Sequence, residues 1–357
     1  MTGDSAVYHN KQEQSMTQIS IIIPCYNVAP YIDRCLESLV YQTIGIENLQ
    51  IICVDDASTD TTYDRLLAWE AKYPESIAVI HCDKNRRQGA ARNLAIEYAD
   101  SPYITYVDSD DWIDLNCLKI MYNVAVKTGA EMVTCGHVRD FGRQPTPSTT
   151  TDPDFQFREI RICSEEMRAE QIRFTSAEPQ VWGRLIKRQF ILENNLLFPE
   201  EVTYEDNLWC GMLSCKIEHY CKLELPLYHY FVNENSTILA SDSLHHIDFL
   251  TVQLLKWDYM VSNGYHEEYS DAVEFDFLHN CYLDFLKLIC LRYSTPQYSL
   301  FRLLQETVRD RINSVENNKY YDQGFTEFQK LLLGFIYLNV TKEDFANMAQ
   351  LIQKNGI

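Results

Sequence analysis

The stretch ISIIIPCYNVAPYIDRCLESLV, residues 19–40, decides the fold class. Its first five residues are nearly all isoleucine and stop at Pro24. A short apolar run without polar alternation predicts a strand buried on both faces of a parallel sheet. From Pro30 onward Ile32, Cys35, Leu36, Leu39 and Val40 recur at helical spacing, and Pro30 suits a first helical turn. The alternation then repeats. Residues 49–54, 77–81, 104–107 and 132–135 are predicted strands; residues 60–72, 89–99 and 115–128 are predicted helices between them. The fold class is therefore α/β, a Rossmann-like, mostly parallel sheet flanked by helices.

Further along, residues 142–154 are rich in Pro, Thr and Ser and are expected to form a flexible loop. Residues 181–192 and 207–215 read as helices, and residues 220–231 as an extended segment broken at Pro226. Beyond Leu244 the periodicity turns to long helices, as in Leu278, Cys281, Tyr282, Phe285 and Ile289. Trp257, Tyr259, Phe275 and Phe277 there read as packing aromatics. The expected division is a disordered polar tail over 1–17, a sheet domain over 18–242 and an all-α C-terminal extension over 243–357.

The chain has 357 residues, 46% of them hydrophobic, which is ample for a packed core. With 31 Lys and Arg against 51 Asp and Glu the net charge is -20, which argues against nucleic acid as a partner. An acidic protein still takes a nucleoside diphosphate when a divalent cation bridges the charges. No apolar run approaches the roughly 20 residues a membrane span requires. The polar N-terminus lacks the basic-then-apolar pattern of a secretory signal, so the expected location is cytoplasmic, with at most peripheral contact at the inner membrane face. The twelve cysteines show no zinc-type spacing and are expected to be reduced thiols.

Three polar clusters each follow a predicted parallel strand: Pro24-Cys25-Tyr26-Asn27, Asp55-Asp56-Ala57-Ser58 and Asp108-Ser109-Asp110-Asp111. Ligands of open α/β sheets bind at the carboxyl ends of the strands, so all three should line one edge. Taken singly, such residues also cap helices, and that reading stays open for Asp60 and Asp114. Asp108 and Asp110 offer hard oxygen ligands to Mn²⁺ or Mg²⁺, and carboxylates this close repel one another unless a cation neutralises them. Lys84 to Asn93 concentrates positive charge in an acidic chain; Gly89 marks a helix start and Arg92 is placed to address a diphosphate or an Asp. Arg86 and Arg87 read as a solvated helix face. From composition alone Asp206 is the N-cap of the next helix.

Taken together, IIIPCYNVAPYIDRCLESL, VDDASTD, NRRQGAARN, YVDSDDW and TYEDNLW stand in the order and approximate spacing of a family 2 glycosyltransferase with a GT-A fold. The resemblance covers residues 19–237, including Pro226 to Tyr230 and Asn235-Ser236-Thr237, and is similar to enzymes that build bacterial surface polysaccharides. It implies that Pro24, Tyr26 and Asn27 line the base and ribose pocket, and that Asp55 and Asp56 read a nucleotide, expected to be uridine. It implies that Asp108, Ser109 and Asp110 form the DxD motif, with Gly89 and Arg92 also facing the donor. Asp206 then resembles the catalytic base, reversing the capping reading, and His229 a further metal or diphosphate contact. Trp182 and Arg184 fall where relatives place acceptor residues.

The expected activity is metal-dependent, inverting transfer of a sugar from a nucleotide-diphosphate donor to a glycan or lipid-linked acceptor, as in capsule or other polysaccharide synthesis. Two features differ from processive synthases of the family: no transmembrane helix and no Gln-x-x-Arg-Trp segment, which points to single-sugar addition. A nucleotidyltransferase would require a Gly-rich basic loop where Pro24 to Asn27 stands. A phosphatase would carry its Asp-x-Asp on the first strand. The remaining alternative is an inactive sugar-nucleotide-binding scaffold, with the oligomeric state open in either case.

Overall fold

The computed structural model describes residues 17–141, 156–173, 179–233 and 239–355. The polar tail over 1–16, the loop over 142–154 and Asn235-Ser236-Thr237 lie outside the described residues. The chain opens with β1 (Ile19–Cys25), α1 (Ile32–Val40), β2 (Leu49–Asp55), α2 (Thr62–Lys72), β3 (Ile77–His81), α3 (Arg87–Tyr98) and β4 (Tyr103–Tyr106). It continues through β5 (Trp112–Ile113), α4 (Cys117–Thr128), β6 (Met132–Asp140), β7 (Phe157–Arg161), α5 (Glu165–Arg173), β8 (Arg184–Lys187), α6 (Arg188–Glu193), α7 (Glu205–Lys216) and β9 (His219–Phe231). One sheet holds all nine strands in the order β3-β2-β1-β4-β8-β6-β9-β5, with β7 also pairing β9.

Why β1 carries no polar alternation is visible in the packing. Ile19, Ile21, Ile23 and Cys25 feed one core with Leu36 and Leu39 of α1, while Ile22 feeds the opposite core with Ala91 and Ala95 of α3. Successive side chains point to opposite faces, and both faces are covered. Fully burying each of these isoleucines contributes about 1.5–3 kcal/mol. Strand β1 pairs in parallel with β2 and β4, and Cys25 sits opposite Asp55. The polar clusters that follow β1, β2 and β4 therefore leave the sheet on one edge.

The second half departs from the sequence reading. Residues 184–187 are expected to be helical but form β8, antiparallel to both β4 and β6. Gly183, at φ +70°, turns the chain into this strand, and Leu185 and Ile186 are wholly buried. Pro226 does not break β9: it pairs with Gly136 where the register slips, a bulge at which a proline's missing N–H is tolerated. Strands β5 and β7 and helix α5 had no counterpart in the reading.

The C-terminal region is all helical: α8 (His246–Ser262), α9 (Tyr265–Glu268), α10 (Ser270–Phe277), a π-helical turn (Leu278–Asp284), α11 (Phe285–Leu291), α12 (Tyr298–Arg309), α13 (Tyr321–Gly324), α14 (Glu327–Gly334) and α15 (Lys342–Asn355). Its core includes Trp257, Phe275 and Phe277 and extends to Ala169, Ile172 and Cys215 of α5 and α7. The C-terminal helices thus share a core with α5 and α7. All twelve cysteines are free thiols, and no described helix is long and apolar enough to cross a membrane.

Candidate active site

At the carboxyl edge of the parallel strands, the chain leaving β1 is tied to the chain leaving β2. Asn27, at φ +53°, accepts through Oδ1 from the N–H groups of Thr59 (2.8 Å) and Asp60 (3.3 Å), while its own N–H donates to Ser58 Oγ (3.0 Å). Its amide oxygen is therefore committed to the neighbouring loop. Pro24 is buried in the strand and Tyr26 is half exposed. Asp60 accepts from the N–H groups of Thr62 (2.9 Å) and Ala29 (3.2 Å), and Asp114 from that of Asn116 (2.9 Å), so both hold turns.

The two aspartates after β2 do different work. Asp55 is wholly buried, with Oδ2 2.8 Å from His81 Nδ1 and Oδ1 buried without a hydrogen-bond partner among the described residues. Such an oxygen is costly unless a ligand donor reaches it. Asp56 accepts from the N–H groups of Arg86 (2.9 Å) and Arg87 (2.7 Å); burial nonetheless raises its carboxyl above the usual range. Arg86 and Arg87 are partly solvated, as expected, but each also has partners in the chain. Arg86 pairs with Glu200, and Arg87 reaches Thr203 and lies 3.7 Å from Asp248. Gly89 is required by close approach: a Cβ there would sit 2.2 Å from the carbonyl oxygen of Pro199.

The loop after β4 is braced from three sides. Arg34 of α1 donates to the Asp110 carbonyl (2.6 Å) with its guanidinium 3.8 Å from the Trp112 ring centre. Tyr228 of β9 donates to Asp111 Oδ2 (2.7 Å) and accepts from the Asp108 N–H (3.2 Å). The Phe231 N–H donates to Asp111 Oδ1 (2.7 Å). Asp111 is thus spent on structure and Ser109 is buried, leaving Asp108 and Asp110 partly accessible. Burial, then repulsion from Asp108, pushes the Asp110 carboxyl up to about 6. A divalent cation would relieve that surplus of negative charge, and the hard oxygens of Asp108 and Asp110 fit Mn²⁺ or Mg²⁺. Among the described residues no group of three His, Cys, Asp or Glu side chains is placed to hold a metal ion. His229 stacks its ring on Trp112, and its Nδ1 lies 3.9 Å from Asp140.

Arg92 joins the far side. Wholly buried on α3, it donates to Asp108 Oδ1 (2.9 Å), to Gln88 Oε1 (2.8 Å) and to Glu205 at the start of α7. Burial opposes its charge, but Glu205 and Asp108 more than offset this and hold the guanidinium firmly protonated. One cation therefore links the loop after β4 to the Glu205-Asp206 pair, 113 residues away in sequence. Asp206 is part-buried; burial, then the charge of Glu205, pushes its carboxyl up to about 7, where a general base works best near neutral pH. Glu205, adjacent to Asp206 in sequence, is Arg92's partner, a pairing that no local sequence pattern reveals. Trp182 stacks on Tyr228 at 4.3 Å between ring centres, while Arg184 is buried against Met132.

A family model described as "Glycosyl transferase family 2" matches residues 20–189. The chain is 37% identical over 241 residues to the processive diacylglycerol beta-glycosyltransferase of Mycoplasma pneumoniae, covering 65% of this chain and 69% of that protein. It is 34% identical over 188 residues to the poly(ribitol-phosphate) beta-glucosyltransferase of Bacillus spizizenii, covering 52% of this chain and 27% of that one. Two further Bacillus subtilis relatives are each covered over 62% of their length. The crystal structure of S. aureus TarS 1-349 in complex with UDP-GlcNAc superposes with a TM-score of 0.67 at 17% identity, covering 95% of this chain and 92% of that one, and shows the same fold.

Proposed function

The chain belongs to glycosyltransferase family 2, and on that premise we propose that it transfers a sugar from a nucleoside-diphosphate donor to a hydroxyl of a glycan or lipid-linked acceptor. The carrying observation is Arg92, whose paired contacts to Asp108 and Glu205 bring the donor-side carboxylates and Asp206 to one edge. In this reading the acceptor hydroxyl gives its proton to the Asp206 carboxylate as its oxygen attacks the anomeric carbon. The bond from that carbon to the diphosphate oxygen breaks, its electron pair leaves with the nucleoside diphosphate, and the sugar is inverted. Asp108 and Asp110 would hold Mn²⁺ or Mg²⁺. When bound, that ion neutralises charge gathering on the departing diphosphate. The unpartnered Asp55 Oδ1 accepts from the base.

A UDP-sugar is the donor class tested first, in keeping with the uridine reading of Asp55-Asp56 and with the UDP-GlcNAc complex of the same fold. Thermal unfolding with UDP, GDP and CMP, each with and without Mn²⁺, is the first experiment, since a ligand at 100 times its Kd adds about 2.7 kcal/mol to the folded state. We expect a shift with UDP that requires Mn²⁺ and is lost in Asp110→Asn; no shift with any nucleotide contradicts the donor site. UDP release in the presence of an acceptor then separates an enzyme from a binding scaffold. Single-sugar addition is the first reading of product length. The Mycoplasma relative, named as processive, supports a second, and chromatography of products against time distinguishes them.

A further inference from the structure

Helix α8, the first helix of the C-terminal region, lies along α7, whose first residues are Glu205 and Asp206. The approach is close: a Cβ on Gly211 of α7 would lie 2.6 Å from Cδ and 2.9 Å from Cγ of Lys256, so the buried Lys256 stem runs through a notch that glycine leaves open. The first turn of α8 grips the residues just before the acidic pair. Asp248 Oδ2 accepts from the Thr203 N–H (3.0 Å), and the Tyr204 hydroxyl lies 3.0 Å from His246 Nδ1. Tyr204 itself is at φ +67°, a conformation a tyrosine holds only when its surroundings enforce it.

One turn further along α8, wholly buried Gln253 donates through Nε2 to Asn207 Oδ1 (3.2 Å), and Asn207 Nδ2 donates to Asp206 Oδ1 (2.9 Å). The direction of this chain is set by its end. A carboxylate and the Tyr204 carbonyl, 3.4 Å from Asn207 Nδ2, only accept, so Asn207 must turn its NH₂ toward them and its oxygen toward Gln253. Gln253 Oε1 is buried with no hydrogen-bond partner among the described residues. Burying an amide for one bond while its oxygen goes unmatched costs stability that an apolar side chain would not. Packing alone gives no reason for a glutamine here.

We propose that Gln253 is a positioning residue for transfer: through Asn207 it fixes the Asp206 carboxylate toward the acceptor, so that the C-terminal helices complete the catalytic edge. This rests on the reading of Asp206 as the base. Glu205, Asp108 and Arg92 face the same carboxylate from α7, the loop after β4 and α3, with Tyr204 and Cys210 beside it; of these only Tyr204, through its carbonyl, also touches Asn207, and Gln253 holds the amide's other end.

The test is a double-mutant cycle in kcat on the full chain, using Gln253→Met, nearly isosteric, and Asn207→Ala. Each is expected to lower kcat about 10-fold, with donor KM and nucleotide-induced thermal shift unchanged. The double variant should lose no more than the worse single one, because both break one relay. Gln253→Met within twofold of wild-type kcat, losses that multiply in the double variant, or a raised KM with intact kcat would each overturn the proposal. Should Gln253→Met not yield folded protein, Asn207→Ala alone decides by the same kcat and KM criteria. Asp206→Asn is the control. If it transfers at the wild-type rate, the base assignment falls and this proposal with it; if it is inactive while Gln253→Met is normal, only the positioning role falls.

Discussion

Strands β3, β2, β1 and β4 run parallel, are short, and deliver their polar clusters at their own ends, whereas β8, β6, β9 and β5 mix directions and carry the braces that hold those clusters in place. On the parallel side each polar group lies at or next to the strand that positions it: Asp55 ends β2 and Asp56 follows it, while Asp108 and Asp110 follow β4. On the mixed side the partners are distant in sequence, as with Tyr228 on Asp111 or Glu205 on Arg92. The lesson is that the proposed donor-side chemistry is local, while its alignment with Asp206 is tertiary. Breaking a brace should therefore cost more than trimming a cluster.

The largest stability effect is expected for Arg92→Met, which leaves Glu205 and Asp108 facing one another without their cation. Removing one partner of a buried charge pair costs about 3–5 kcal/mol, to be read from urea unfolding. A loss under about 1 kcal/mol would mean the two halves are aligned by something else. Next comes Tyr228→Phe, which strips one hydrogen bond from the Asp111 carboxylate and one acceptor from the Asp108 N–H. An expected loss of about 1.5–3 kcal/mol follows from the charged partner. An unchanged midpoint would show that the loop after β4 holds itself.

Asp206→Asn sharpens the comparison from the other side, because it should stabilise. With its folded carboxyl near 7 and an unfolded value near 3.9, the folded state keeps a proton across that interval which the unfolded chain has released. Wild-type stability therefore falls as pH rises from about 4 to 7, and the burden is complete above 7. The Tm advantage of Asp206→Asn is expected to open across that window and to reach roughly 2–4 °C above it, corresponding to about 1 kcal/mol for a part-exposed group. A gap that does not grow with pH contradicts the shifted carboxyl. Smallest is Arg86→Ala: its pair with Glu200 is half exposed, so a change below about 1 kcal/mol is expected, also by urea unfolding.

The same contrast explains what was legible in the sequence. Parallel strands buried on both faces read as apolar runs, so β1 to β4 and the polar residues at their ends stood out, and the helix starts at α2 and α3 fell within two residues. Residues 184–187 read as helical because a four-residue strand takes its conformation from β4, β6 and the turn at Gly183, none of which is local. Pro226 looked like a break because the bulge that accommodates it lies in the pairing with β6. Arg86 and Arg87 read correctly as solvated, but their partners Glu200, Thr203 and Asp248 were hidden because they lie more than a hundred residues away. Asp206 read as a cap because nothing within its own segment reveals Arg92, Glu205's partner, or the relay from Gln253.

The measurement that bears most directly on the account is the pH dependence of kcat for wild type and Asp206→Asn at saturating donor, acceptor and Mn²⁺. The account predicts a wild-type kcat that rises through an apparent pKa near 7 as Asp206 loses its proton, then levels. Asp206→Asn should bind nucleotide normally and fall by about 10²–10⁴-fold with no such limb. A wild-type kcat that is flat from acid to alkaline pH, or an Asp206→Asn enzyme close to the wild-type rate, would contradict it.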